Sequence, residues 1–266
     1  FLGLFSVVLG ALYMYVEGEL PARAEPEQTT TIYDRHGVPL MVIHGDENRQ
    51  VVEYSEIPEI TRKAVLAAED RNFEQHGGLD PLGLVRAVVS DLRHRGAVQG
   101  GSTITQQLVK VSYVGDEKTL WRKAREALLA MKVEHQLSKP EILRRYLNEI
   151  YFGRNAYGIQ AAARAYFGVD ARELDLAQSA YIAGVIRSPD LGEVDRQAEA
   201  KVRQEQVLDS MVRAGFVTRQ SADAAAAQPL KLAPRDQIRD SFSPQARDAH
   251  AEYFAQYVKT QLDKEL

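Results

Sequence analysis

The residues best equipped for chemistry fall in three clusters. One is "GAVQGGSTITQQLVK", residues 96–110, with its paired glycines, hydroxyls and amides and a closing lysine. A nucleotide-binding P-loop places its lysine directly after the second glycine and before Ser or Thr. Here Gly100-Gly101 run into Ser102-Thr103, and Lys110 follows several residues later, so the stretch is not that cradle. It reads instead as a loop feeding a helix, with Ser102 or Thr103 as the N-cap of "TITQQLVKVSY". At about 100° per residue, Thr103, Gln107 and Lys110 share one face, and Ile104, Leu108 and Val111 form the core stripe beside it. A free helix N-terminus, a hydroxyl, an amide and an ammonium are all donors suited to phosphate or sugar oxygens. The structural alternative is a capped amphipathic helix with an ordinary polar face, and this stretch alone does not decide between the two.

The second cluster lies in "TLWRKAREALLAMKVEHQL", which carries Arg122, Lys123 and Glu126. Arg122 and Glu126 stand at i, i+4, the spacing of an ordinary surface ion pair. The surroundings argue for enclosure. Trp121, Ala124, Leu128 and Met131 form one apolar side, Leu129 and Val133 lie near Glu126, and a helix apolar on most faces is buried. An enclosed carboxylate beside two cations is a candidate functional group. The third cluster ends the helix "IPEITRKAVLAAEDRNF" at Glu69-Asp70. Adjacent acids there are ordinarily a solvated terminus, at the dipole end that disfavours an anion. They run into "NFEQHGGLD", however, a polar irregular turn directly behind an apolar helix, where site residues tend to sit.

Several elements must position these groups. "TTIYDRHGVPLMVIHGDENRQVVEY" alternates β-prone runs with turn signals and predicts a small set of strands; from Pro58 the pattern is helical. In "SKPEILRRYLNEIYFGRNAYG" Ser138 and Glu141 can form a capping box, Pro140 occupies the first turn and Gly153 ends the helix. Ile142, Leu143, Tyr146, Leu147 and Ile150 read as scaffold, as do two further helical segments in "AAARAYFGVDARELDLAQSAYIAGVIRSPD". Residues 196–266 read as helical with a polar passage at 228–244. The chain opens with "FLGLFSVVLGALYMYV", 16 residues without a charge. A span needs roughly 20 apolar residues, so residues 1–16 read as the C-terminal part of a transmembrane helix; a buried helix of a soluble core is the alternative. Residues 17–57 then form a linker and strand-rich segment, 58–228 the main domain and 229–266 a second linker. At 45% apolar residues a sizeable core is available, and a net charge of −4 argues against a nucleic-acid binder. The absence of cysteine removes disulfides and thiol nucleophiles, and the six histidines show no metal-ligand spacing.

Five segments, in order, resemble the motifs of the peptidoglycan glycosyltransferases, glycosyltransferase family 51. They are "EDRNFEQHGGLD" (69–80), "GGSTITQQLVK" (100–110), "RKAREALLAMKVE" (122–134), "ILRRYLNEIYFG" (142–153) and "AYGIQAAARAYFG" (156–168). The lead "IYDRHG" and the tail "AEYFAQYVKTQL" resemble class A penicillin-binding proteins, yet neither Ser-x-x-Lys nor Lys-Thr-Gly occurs, so the reading is anchor plus glycosyltransferase part without the transpeptidase domain. The family usually follows the motif lysine with Asn; this chain has Val111, which the face count places in the core and outside the site.

The resemblance implies a mainly α, lysozyme-like glycosyltransferase fold with a membrane-associated small lobe. It implies polymerisation of lipid II into β-1,4-linked glycan, with inversion and release of polyprenyl diphosphate, by a single-pass protein of the bacterial plasma membrane whose catalytic domain is extracytoplasmic. Glu69 and Glu126 match the catalytic positions. Asp70, Phe73, His76, Ser102, Thr103, Gln107, Lys110, Arg122 and Lys123 match substrate-binding ones. A bare Glu126 carboxylate would repel a diphosphate, so it must be protonated, paired with Arg122 or Lys123, or bridged by a divalent cation (Mg²⁺ or Mn²⁺); no organic cofactor is implied. The partners implied are lipid II, the growing glycan, the membrane and other cell-wall synthesis proteins, and no nucleic acid. Two rival readings are a lytic glycosidase, which would need no cationic helix N-terminus, and a membrane-anchored scaffold, which would need neither glutamate.

Overall fold

The computed structural model describes residues 14–22, 30–36, 39–43, 48–81, 83, 101–114, 119–192 and 196–233, with four isolated positions near the C-terminus. The opening apolar run lies outside these except for residues 14–16, as does nearly all of the predicted linker 229–266. Among the described residues no helix is long and apolar enough to cross a membrane.

The fold is mainly helical. Strands β1 (Thr30–Tyr33) and β2 (Pro39–Ile43) form an antiparallel hairpin, as the alternating pattern predicts. The two-residue β3 (Asn48–Arg49) pairs in parallel with β4 (Ala156–Tyr157), across a separation that no local pattern reveals. The helices are α1 (Glu59–Glu69), α2 (Ile104–Val109), α3 (Leu120–Gln136), α4 (Lys139–Glu149), α5 (Ile159–Phe167), α6 (Leu176–Val185), α7 (Gln197–Arg213) and α8 (Arg219–Ala227). One continuous core runs through them, with Ala64, Val65, Ile104, Leu129, Val133, Leu147 and Ile182 among its fully enclosed members. α1 packs on α6 and α7, and the one polar pair inside that contact satisfies itself: Thr61 Oγ1 and Ser179 Oγ lie 2.8 Å apart. α2 packs on α3 and α4.

Four expectations are corrected. α4 is capped by Ser138, whose hydroxyl accepts from the Glu141 amide, and has Pro140 in its first turn, but it ends at Glu149 and not at Gly153. Glu141 does not complete a capping box because its carboxylate is taken by Arg144 and Arg145. Val111 is not in the core: it is 52% exposed. α2 stops at Val109 and the chain continues as a π-helical turn, Lys110–Val114. Val111 therefore sits where the chain has left the α-helical register, while Val109, the last residue of α2, is buried. Trp121 is 77% exposed, and Ala124 is exposed with it. These residues lie about 140–160° around α3 from Glu126, while the core takes the side bearing Glu126, Leu129, Ala130 and Val133.

Asn148 fastens the segment after β3 to α4. Its side-chain oxygen accepts from the Val52 amide and its nitrogen donates to the Val52 carbonyl, both at 2.9 Å, and to the Arg144 carbonyl at 2.8 Å. Asn148→Ala strands both Val52 groups and should cost about 2 kcal/mol in urea unfolding. A second expectation concerns pH. Hydrogen bonding to Arg144, and then to Arg145, holds the Glu141 carboxyl down at about 2 against an ordinary 4.5. A carboxylate with a depressed folded-state pKa stabilises the fold above its unfolded value, and that contribution is lost as pH falls from about 4.5 through about 2. Glu141→Gln should therefore be less stable than wild type at neutral pH and converge with it near pH 2 in acid unfolding followed by circular dichroism.

Candidate active site

α1 delivers Glu69 from its last turn, because Asp70 leaves helical geometry (φ −156°, ψ 78°) and the chain breaks into the polar turn. The Glu69 side chain is only 2% exposed. One of its oxygens accepts from Arg187 Nε and the other from Gln107 Nε2, each at 2.9 Å. The Gln107 amide is itself oriented: its oxygen accepts from the Tyr146 hydroxyl at 2.9 Å, so its NH₂ faces Glu69. Burial, and secondarily the charge of Glu69, push the Tyr146 pKa well above its ordinary value, which keeps that hydroxyl a donor. A carboxylate oxygen has two lone-pair directions, so each Glu69 oxygen retains room to accept a proton.

Asp70 turns the other way. His76 Nε2 donates to it at 2.9 Å, and its Oδ2 accepts the Ile104 amide, in the first turn of α2, at 3.0 Å. Thr103 is the N-cap, in a reciprocal box with Gln106, and its hydroxyl also donates to the Gly78 carbonyl at 2.6 Å. Gly78 has φ +88°, and a Cβ there would stand 2.7 Å from the Ala130 carbonyl oxygen, so only glycine lets the turn lie this close to α3. Lys139 locks the same turn from α4: its ammonium donates to the His76 carbonyl (2.6 Å), pairs with Glu134 (2.9 Å) and lies 4.2 Å from the centre of the buried Phe73 ring. Thr105 donates to that Glu134 as well.

Glu126, predicted to be enclosed between two cations, is so placed. Its side chain is 2% exposed, Arg122 Nη1 donates to one oxygen at 3.0 Å, and Lys123 donates to the other. Lys123 also reaches Ser102 Oγ at 3.1 Å, which joins this cluster to the loop before α2. Arg122 Nε is buried without a partner. Lys110 is exposed at the first position of the π turn.

A cleft of about 150 Å³ brings Glu69, Asp70, Ser102 and Thr103 to one surface, together with Arg187 and Arg213. Arg187 is a residue that sequence reasoning assigned to scaffold. Its signal was a lone cation directly behind the wholly apolar run of α6, in "AGVIRSPD". Tyr146, Glu134 and Lys139 were likewise missed as supports.

A helical fold that holds a carboxylate at a cleft, with hydroxyls and cations along the rim, defines a group-transfer site. It offers a base for a weak nucleophile and positive charge for an anionic leaving group. The comparisons agree with that class. Residues 36–212 match the family model Transglycosylase. The chain belongs to the transglycosylase family, as its motifs led one to expect. It is 42% identical over 207 residues to penicillin-binding protein 1A of Neisseria cinerea, an alignment covering 77% of this chain and 26% of that one. It is 34% identical over 268 residues to penicillin-binding protein 1A of Rickettsia bellii, covering 97% and 33% respectively. The crystal structure of penicillin-binding protein 1A from Haemophilus influenzae aligns with 80% of this chain and 22% of that one, at 22% identity and a TM-score of 0.42. The chain thus spans about a quarter to a third of the length of the relatives it matches by sequence.

Removing the Lys139 cation leaves Glu134 enclosed and uncompensated. Lys139→Met should destabilise the protein by about 3 kcal/mol. Adding Glu134→Gln to it should recover part of that loss, and a double-mutant cycle from urea unfolding measures the recovery.

Proposed function

We propose that this chain polymerises lipid II into β-1,4-linked glycan strands by a single inverting displacement. The observation that carries the reading is Glu69: a carboxylate aligned by an oriented amide and a guanidinium, on a cleft it shares with Ser102 and Thr103. The acceptor 4-hydroxyl is a weak nucleophile and needs a base as it attacks. Glu69 takes that proton while the acceptor oxygen bonds to the anomeric carbon of the donor. The bond from that carbon to the diphosphate breaks, and the electron pair leaves with the diphosphate. The leaving group is the anion of a strong acid, so charge stabilisation matters more than protonation. Ser102, Lys123 and Arg122 supply it, Arg122 through the buried Nε that has no partner among the described residues. Thr103 caps the helix whose N-terminus adds further positive potential.

In this reading Glu126 orients cations. Both its oxygens are engaged by Arg122 and Lys123, which also disfavours a lytic glycosidase, since that enzyme needs a carboxylic acid free to protonate a sugar oxygen. Among the described residues no group of three His, Asp or Glu could hold a metal. A divalent cation at Glu126 would compete with Arg122 and Lys123 for its oxygens. The lipid carrier of donor and acceptor gives the exposed apolar Val111 and Trp121 a natural environment at a membrane surface, in keeping with a lysozyme-like domain with a membrane-associated lobe, anchored on the extracytoplasmic face of a bacterial plasma membrane.

The two glutamates are separable. Glu69→Gln preserves size and hydrogen bonding but cannot take the proton, so polymerisation of lipid II should fall by roughly 10²–10⁴-fold. Moenomycin, a phosphoglycolipid mimic of the donor, should still bind. Glu126→Gln should slow turnover and change moenomycin affinity as well, because it releases Arg122 and Lys123. Near-normal polymerisation by a folded Glu69→Gln variant would remove Glu69 as the base.

A further inference from the structure

The side of α7 that reaches the cleft carries polar groups the mechanism above does not use. Arg203, Gln206, Ser210 and Arg213 stand at i, i+3, i+7 and i+10 and so lie along one side of the helix. They are joined in sequence. Arg203 Nη1 donates to Gln206 Oε1 at 2.7 Å, Ser210 Oγ donates to the Gln206 carbonyl at 2.9 Å, and Arg213 Nη2 donates to Ser210 Oγ at 2.9 Å. α7 is held against α1 and α6 by the buried Val207, Leu208 and Met211, and its last turn brings Ser210 and Arg213 to the cleft that contains Glu69.

Arginines and carboxylates both line the cleft: Arg71, Arg187 and Arg213 with Glu69, Asp70 and Asp80. Burial, and then the neighbouring charge of Arg187, push the Arg203 pKa down, while Glu69 pushes it up. Arg187 and Arg203 are thus set about Glu69, whose two oxygens already accept from Arg187 and Gln107, and Arg213 lines the same cleft. The other carboxylates of the cleft are occupied too: Asp70 by His76 and the Ile104 amide, Asp80 by Asn72 and the Gly83 amide. Among the described residues neither Arg203 nor Arg213 is ion-paired. The same cleft holds Ser102, with Lys123 bonded to it, which the proposed reaction assigns to the leaving diphosphate. Glu69 must touch the acceptor hydroxyl, and Ser210 and Arg213 share its cleft, which leaves the α7 side for the acceptor.

We propose that Arg213, aimed by Ser210, is a specificity-determining residue that receives an oxyanion carried by the acceptor substrate. The inference rests on the glycosyltransferase reading of the site. The oxyanion is a carboxylate of the peptide stem or a phosphate of the acceptor's own diphosphate; a guanidinium grips either through paired N–H donors.

The test uses the full chain in detergent, with a preformed lipid-linked glycan oligomer as donor and lipid II as the varied acceptor. Arg213→Ala should raise the acceptor KM by about 10-fold, leave kcat within about twofold and leave moenomycin affinity unchanged. Arg213→Lys should recover part of the loss, which a merely structural role would not predict. Lipid II with its stem carboxylates converted to amides distinguishes the sources. If that acceptor already shows the raised KM with wild type, and Arg213→Ala adds nothing, the stem carboxylate is the partner. If it behaves as lipid II does and Arg213→Ala still raises its KM, the diphosphate is. An active Arg213→Ala variant with unchanged KM for both acceptors overturns this inference alone. A wild-type chain that makes no polymer overturns the glycosyltransferase reading and this one with it.

Discussion

The arrangement of the site depends on the carboxylate of Asp70. It closes α1, accepts from His76 across the turn and accepts the amide at the start of α2. The end of α1, the turn that follows it and the start of α2, 34 positions on, are thereby fixed to one side chain, and Glu69 is its immediate neighbour. An exposed carboxylate could not do this, because water would compete for every lone pair. Asp70 is buried and its bonds are charge-assisted, so they are both short and costly to break. The direction in which Glu69 emerges is therefore set by a bond that Glu69 does not make.

Around this joint the polar groups are satisfied in relays. Tyr146 fixes the Gln107 amide and Gln107 aligns Glu69; Lys139 joins the His76 carbonyl to Glu134, and Glu134 accepts from Thr105. Burying so many polar and charged atoms is costly unless each finds a partner. Because both relays start on α4 and cross to α2, α3 or the turn after α1, these helices cannot shift separately without stranding a charge or a donor. Apolar packing alone would tolerate small slips; these relays do not, and a site that must place a proton acceptor to within a fraction of an ångström depends on that difference.

What the sequence made legible was whatever is local. The Thr103 and Ser138 caps, the helix ending at Glu69-Asp70, the hairpin, and the enclosure of Glu126 between Arg122 and Lys123 all follow from residues within a few positions of one another. The failures are of another kind. α3 is apolar on two sides, and nothing within it says that the Glu126 side faces the core and the Trp121 side does not. Val111 was misplaced because the face count assumed an unbroken α-helix, and a π turn begins one residue earlier. Arg187 was missed because its partner Glu69 is 118 positions away. In all three cases the deciding contact is long-range, or is a break in regular geometry.

The two glutamates show how one fold can give chemically identical groups different tasks. Both side chains are 2% exposed, so burial does not distinguish them. Their partners do. Glu126 is clasped by two cations on its own helix, at i−4 and i−3, an arrangement complete before any substrate arrives. Glu69 has one cation and one amide, both brought from other helices, and it faces a cleft. Glu126 is held by an ion pair on each oxygen, whereas Glu69 has a single ion pair and an amide contact. The carboxylate with fewer cations is also the one the fold presents to the cleft. That asymmetry separates the two glutamates by their partners and not by their burial.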